Sequence, residues 1–207
     1  MAEHYFTRKP ESTSRTAELA VELRGHRLRF LTDAGVFSRR DVDAGTRLLI
    51  DTMEPQSGQR ILDLGCGYGP VGLAAAVLAG PDSSVLMVDV NERAVRLAEE
   101  NAKRNGVHNV LAIVSDGFAS VAGSFDWILT NPPIRVGKAV LYAWVEASPA
   151  YLRPGGTMLM VIRTKQGAKS MADQFARVFP ETDTIAKREG YRVLLGRARA
   201  SAGSESE

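Results

Sequence analysis

The stretch Ile61-Leu62-Asp63-Leu64-Gly65-Cys66-Gly67-Tyr68-Gly69-Pro70 joins an apolar run to a loop with glycine at every second position. Arg60 to Leu64 reads as a short buried strand, and the Ala-rich run from Val71 to Ala79 reads as a helix. A glycine-rich turn between strand and helix is where an open α/β sheet takes a nucleotide. Without a Cβ, the backbone turns tightly and approaches a ligand closely. Gly67 to Gly72 also satisfies G-x-G-x-x-G, which alone points only weakly to a dinucleotide.

The alternation continues downstream. Ser84 to Val90 reads as a strand, and Glu92 to Arg104 as a helix stopped by Asn105-Gly106. Strands follow over Asn109 to Val114 and Phe125 to Thr130, then a helix from Ala139 to Ala150. Tyr151 to Gly156 carries a turn signal, Thr157 to Ile162 reads as a strand and Lys169 to Val178 as a helix. Thr182 to Lys187 and Arg192 to Arg197 make a closing antiparallel pair. Upstream, two period-2 runs flank Gly25-His26 and predict a β-hairpin, followed by a helix over Asp41 to Met53. Strands separated by helices imply a mostly parallel sheet. Residues 1–15 are expected to be a flexible arm, 16–199 the folded domain and 200–207 a disordered tail.

Composition bounds the chemistry. The 207 residues are 44% hydrophobic, enough for one domain without a staple, and the single Cys66 excludes a disulfide framework or a multi-cysteine metal site. The three histidines, His4, His26 and His108, have no partner at ligand spacing, so no metal is expected. No apolar stretch approaches the ~20 residues of a membrane span, and the N-terminus lacks the apolar core of a signal peptide; a reducing, cytoplasmic setting is expected. The net charge of +2 is uneven: residues 48–134 carry 5 basic and 10 acidic groups, residues 135–199 carry 12 and 5. Such asymmetry suits a cation at one place and a polyanion at another, or is an ordinary spread of surface charge.

The carboxylates narrow the ligand. Asp63 precedes the first loop glycine by two residues, where it would repel a pyrophosphate and attract the amino-acid end of S-adenosyl-L-methionine. Asp89, 20 residues after Gly69, is placed to take both ribose hydroxyls. Asp116 can accept from an adenine amino group, with Phe118 near the ring. Helix N-capping is the plain alternative for Asp89 and Asp116. The cofactor set is then Asp63, Gly65, Cys66, Gly67, Gly69, Asp89, Val90, Asn91, Asp116, Gly117 and Phe118, with Asn131. Cys66 reads as a packing residue rather than a nucleophile, and Trp127 and Trp144 as core.

After the fourth strand comes Asn131-Pro132-Pro133-Ile134. Here the sequence resembles the class I S-adenosylmethionine-dependent N-methyltransferases with an Asn/Asp-Pro-Pro-aromatic loop, which makes Asn131, Pro132, Pro133 and Ile134 the catalytic candidates. An exocyclic amine with a delocalised lone pair is a poor nucleophile. Two acceptors, the Asn131 side-chain oxygen and the Pro132 carbonyl, would orient that lone pair for in-line displacement without a strong general base.

Gly35-Val36-Phe37-Ser38, Asp43, Gly45 and Leu48-Leu49, with DLGCGYGPVG and NPPIRVGK, further resemble the ribosomal RNA small subunit methyltransferase C family. The resemblance covers residues 15 to 198 or so. It implies a Rossmann-like α/β fold, a seven-stranded mostly parallel sheet with helices on both faces preceded by the hairpin. It also implies guanine-N2 methylation of small-subunit ribosomal RNA. Phe37 and Ser38 would then lie near cofactor or base, and Arg135 and Lys138 near RNA. Arg163, Lys165 and Lys169 follow strands at the same sheet end and would add phosphate contacts, or form a solvated face. The chain departs from the family in two ways. It has one domain where familiar members have two, which leaves RNA capture to homodimerisation or to the basic C-terminal third. Ile134 also replaces the aromatic, with Phe37 the candidate substitute. Glutamine-amide methylation, a non-catalytic RNA-binding or ribosome-assembly role and a nicotinamide oxidoreductase are the competing readings.

Overall fold

A computed structural model describes residues 16–33, 41–133 and 136–201. The hairpin pairs β1 (Ala17–Leu23) with β2 (His26–Thr32), Leu23 facing His26 across the turn. Helix α1 (Ala44–Thr52) begins later than the expected Asp41, because Asp43 is its N-cap and stands in extended backbone.

Strand β3 (Arg60–Leu64) lies inside the sheet with Ile61, Leu62 and Leu64 fully buried. It leads through the glycine loop into α2 (Pro70–Ala79), which Pro70 opens at a first-turn position that needs no N–H. Then come β4 (Ser84–Asp89), α3 (Glu92–Arg104), β5 (Val110–Val114), β6 (Phe125–Thr130) and α4 (Lys138–Ala147). The chain closes with β7 (Leu152–Arg163), α5 (Ala168–Val178), β8 (Glu181–Arg188) and β9 (Tyr191–Arg197). The expected helix to Ala150 ends at Ala147 and tightens into a 3-10 turn, Ser148–Tyr151, at Pro149.

The seven strands run β5-β4-β3-β6-β7-β9-β8, parallel except for β9. Chain order departs from β3 in both directions, to β4 on one side and β6 on the other. Their carboxyl ends therefore flank the switch-point crevice where such sheets bind ligands. One core layer joins the hairpin, α1, α2 and α3 to the sheet; the other joins α4 and α5 to its opposite face.

One expectation is corrected. The Tyr151 to Gly156 turn signal does not separate helix from strand; it is a bulge inside β7. Phe125 pairs with Leu152 and Trp127 with Thr157, so Arg153 to Gly156 loop out between two ladder positions. Gly156 is needed there, because a Cβ would sit 2.9 to 3.2 Å from the carbonyls of Arg153, Phe125 and Asp126.

The hairpin docks onto α3 through two amides one turn apart. Asn101 accepts from the Leu31 N–H at 2.6 Å and donates to the Leu31 carbonyl at 3.0 Å. Asn105 does the same for Arg29, at 2.8 and 2.7 Å. Side-chain amides thus stand in for a neighbouring strand along the outer edge of β2. Asn101 also donates to the Tyr68 carbonyl at 2.9 Å, and Phe30 meets the Tyr68 ring edge-on at 5.5 Å. The hairpin is in this way tied to the glycine loop.

Candidate active site

The loop after β3 is held from both sides by carboxylates. Asp63, 1% exposed, accepts from Gly72 N at 2.8 Å; Asp89, 3% exposed, accepts from Gly67 N at 2.9 Å and from Asn91 N at 2.9 Å. Gly65, Gly67 and Gly69 all take positive φ, as the glycine spacing predicts. Burial pushes the Asp63 carboxyl up to about 7; the Gly72 N–H opposes that rise and the charge of Asp89 adds to it. A cationic ligand group beside Asp63 would offset the cost of its buried charge. Burial pushes the Cys66 thiol well up, further than its ordinary value, so it packs rather than attacks.

Two cavities meet over this loop, with Gly65 and Pro133 lining both. The larger, about 310 Å³, is lined by Asp89, Val90, Asp116 and Gly117 from the expected set. Asp89 is not a helix cap: Asn91 caps α3, accepting from Arg93 N at 2.9 Å and Ala94 N at 3.4 Å. Asn91, placed among cofactor contacts by sequence, is therefore buried in a structural role and does not line the cavity. Asp116 opens a turn closed by Ala119 N at 3.1 Å, with no helix to cap, and its side chain is exposed toward the cavity.

Phe118 follows the cavity-lining Gly117. It is buried and stacked on Tyr151 at 4.4 Å. The aromatic wall is Trp144, expected to be core, which packs beside Gly65 and Gly117. Its position on the amphipathic α4 carried no local signal for this. Trp127 is partly buried against the core, its indole N–H donating to Gln59 at 2.8 Å.

The narrower cavity, about 50 Å³, gathers Asp63 and Cys66 with Asn131, Pro132 and Pro133. It also brings in residues that sequence reasoning left without a role. Asn131 Nδ2 donates to Thr46 Oγ1 at 2.8 Å and to Asp43 Oδ2 at 3.2 Å, so its NH₂ end turns toward α1. Tyr191 of β9 forms another wall: its hydroxyl accepts from Arg163 Nε at 2.8 Å, and the guanidinium lies 5.0 Å from its ring centre. Among the described basic candidates, only Arg163 reaches the lining of these two cavities. Lys138 sits at the start of α4 with its ammonium 5.0 Å from the Tyr142 ring, and Lys165 lies on an exposed 3-10 turn, Thr164–Gln166. Phe37, Ser38, Ile134 and Arg135 fall outside the described residues. Among the described residues no group of three or more His, Cys, Asp or Glu is gathered to hold a metal, and no helix is long and apolar enough to cross a membrane.

The arrangement is a cleft with Asp89 and Asp116 in the wall of its larger part, and Asp43, Asp63 and the Asn131-Pro132-Pro133 loop around its narrower part. The chain as a whole is similar to known proteins. The family model described as methyltransferase small domain matches residues 27–195. A Bacillus subtilis (strain 168) protein named uncharacterized protein YbxB is 45% identical over 197 residues, 94% of this chain and 98% of that one. The ribosomal RNA small subunit methyltransferase C of Shewanella amazonensis is 30% identical over 195 residues, 92% of this chain and 55% of that protein. A solved structure of a T. thermophilus 16S rRNA N2 methyltransferase in complex with AdoMet and guanosine superposes with a TM-score of 0.79 at 28% identity. That match covers 91% of this chain and 51% of the other. The chain spans about half the length of the ribosomal RNA methyltransferases it matches.

Proposed function

This chain belongs to the methyltransferase small domain family, and from that premise we propose that it methylates the exocyclic N2 amine of a guanine in small-subunit ribosomal RNA. The donor is S-adenosyl-L-methionine, the active unit residues 16–199 and the setting the cytoplasm. The observation that carries the reading is the pair of cavities joined at Gly65 and Pro133, with Asn131 and Pro132 in the wall of the narrower one. Support for the substrate comes from relatives named for ribosomal RNA methylation and from a neighbour whose structure holds AdoMet and guanosine.

The residues present fit the donor. Asp89, at the carboxyl end of β4 in the wall of the larger cavity, takes the ribose hydroxyls. Asp116 accepts from the adenine amine, Trp144 packs on the base and Asp63 faces the ammonium end. When bound, S-adenosylmethionine supplies a methyl group made electrophilic by its sulfonium sulfur. Asn131 Oδ1 and the Pro132 carbonyl accept the two N–H groups of the target amine and aim its lone pair at that methyl. Pro132 and Pro133 stiffen the loop. Methyl transfer would release S-adenosylhomocysteine and one amine proton, the proton passing to solvent water; neither acceptor acts as a strong base, so orientation and fixed dipoles carry the rate. Arg163, braced by Tyr191, contacts the RNA at the mouth of the narrower cavity, with Lys138, Arg135, Lys165 and Lys169 beyond it. Phe37 and Ser38 approach the base, Phe37 taking the stacking role that Ile134 does not fill.

The test is incubation of small subunits, naked ribosomal RNA and total protein with methyl-labelled donor, followed by nucleoside digestion. Label in N2-methylguanosine is expected; label on protein alone would overturn the assignment. Asn131→Ala should abolish transfer while calorimetry with S-adenosylhomocysteine keeps Kd within about threefold.

A further inference from the structure

We propose that Asp43 and Thr46 set which end of the Asn131 amide faces the target amine, acting as positioning residues for methyl transfer; this rests on the reading of Asn131 as an acceptor. The three side chains come from two distant parts of the chain, with Asn131 separated from Asp43 by 88 residues and from Thr46 by 85. They meet in the wall of the narrower cavity.

The hydrogen bonds there have one direction. A carboxylate has no hydrogen to give, so every contact to Asp43 is a donation toward it. It accepts from Gly45 N at 3.0 Å, from Thr46 N at 3.3 Å and from the Thr46 hydroxyl. That last bond commits the only hydrogen on Thr46 Oγ1, leaving the oxygen an acceptor. Asn131 must then present hydrogens to both, and does, at 2.8 Å to Thr46 and 3.2 Å to Asp43. Its Oδ1 is left for the cavity.

A reversed amide would be wrong twice. Its oxygen would stand against two oxygens with no hydrogen between them, which is costly where Thr46 is buried. Its NH₂ would face the N–H groups of the target amine, donor against donor, and the amine could not dock. The circuit thus converts a side chain with two nearly isosteric orientations into a fixed acceptor. Helix capping alone does not call for it, because asparagine or serine caps a helix as well as aspartate.

That difference separates positioning from structure. Asp43→Asn keeps a capping oxygen but brings a second NH₂ to face Asn131. Thr46→Val keeps the shape and removes the hydroxyl, whereas Thr46→Ser restores it. Asp43→Asn and Thr46→Val should each lower single-turnover kcat about 100-fold, with the Kd of S-adenosylhomocysteine within about twofold and Tm little changed. Thr46→Ser should recover most of the rate. A readout independent of substrate is the Asn131 side-chain amide in ¹⁵N-labelled protein, assigned by its loss in Asn131→Asp. Both amide protons should exchange slowly in the wild type and in Thr46→Ser, and quickly in Asp43→Asn and Thr46→Val. Wild-type rates in Thr46→Val, or slow exchange retained in both disruptive variants, overturns the proposal. If the wild type labels no RNA, the ribosomal reading falls, and the amide signals still decide the orientation.

Discussion

At the residue scale, the proposed place of Asp63 beside the donor's ammonium group would tie cofactor binding to pH. Its folded-state carboxyl titrates near 7, raised from 3.8 chiefly by burial. Between those values the native state holds a proton that the unfolded state has lost, so the free protein loses stability as pH rises through that window. A cation bound beside Asp63 favours the charged form, which gives binding the opposite slope. Affinity for S-adenosylhomocysteine, whose ammonium group is retained, should rise about tenfold from pH 6 to pH 8. Calorimetry in buffers of differing ionisation enthalpy should show proton release near pH 6.5. Asp63→Asn should flatten the profile; an unchanged slope in that variant would place the titrating group elsewhere. Asp63, Asp89, Asp116 and Asn131 were legible in the sequence because each sits at a strand end beside a motif of its own. Asp43 and Thr46, by contrast, meet Asn131 across more than eighty residues, and no local pattern records that meeting. That Trp144 lines the cavity was hidden for a similar reason: it depends on how α4 lies across Gly65 and Gly117.

Among the elements, those with strong periodicity were readable to within a residue or two, as β3, α3 and β6 are. Caps and glycines marked their ends. The misread segment was β7, where Pro154-Gly155-Gly156 carries the composition of a connecting turn but lies within one strand, because pairing with β6 resumes beyond it. How elements dock was less legible. Asn101 on α3 holds the backbone of Leu31 and the carbonyl of Tyr68 at once. Asn101→Ala leaves those groups unpaired and should cost about 3 kcal/mol, or about 6–12 °C in Tm for a chain of this size. Faster hydrogen exchange at Leu31 should accompany it; unchanged exchange there would mean the hairpin is held otherwise. The N-terminus of α1 meets β9 just as closely. A Cβ on Gly45 would lie 2.7 Å from the Tyr191 ring. Gly45→Ala should displace that ring and, with it, Arg163, raising KM for RNA several-fold while leaving cofactor affinity near its original value in a filter-binding and calorimetry comparison.

Over the whole molecule, the charge asymmetry read from sequence becomes more selective. Several cations of the basic C-terminal third are already paired: Arg153 with Asp126 at 2.9 Å, Arg188 with Asp51 at 2.6 Å and Arg197 with Glu181 at 3.0 Å. The net excess of that third therefore overstates what is offered to a polyanion. Lys138, Arg163, Lys165 and Lys169 remain near the carboxyl ends of β6 and β7. If these four meet phosphates of a single strand, log affinity for RNA should fall against log salt with a slope of about −3. A slope near zero in binding titrations would remove them from the interface. Composition gave the sign of this surface, but only the folded arrangement distinguishes cations facing the cleft from those tied to acidic neighbours.

The contact between Gly45 and Tyr191 also has a consequence in time. One wall of the cleft is made near the start of the folded region and the facing wall on its last strand. During synthesis at about 5–20 residues per second, the glycine loop, Asn131 and the parallel strands are available well before β9 emerges. Until then Arg163 has no Tyr191 to lean on, and the mouth of the narrower cavity stays unfinished. A nascent chain can therefore assemble the glycine loop and Asn131 while still tethered to the machine that makes it, but completes the Arg163–Tyr191 wall only once β9 has emerged.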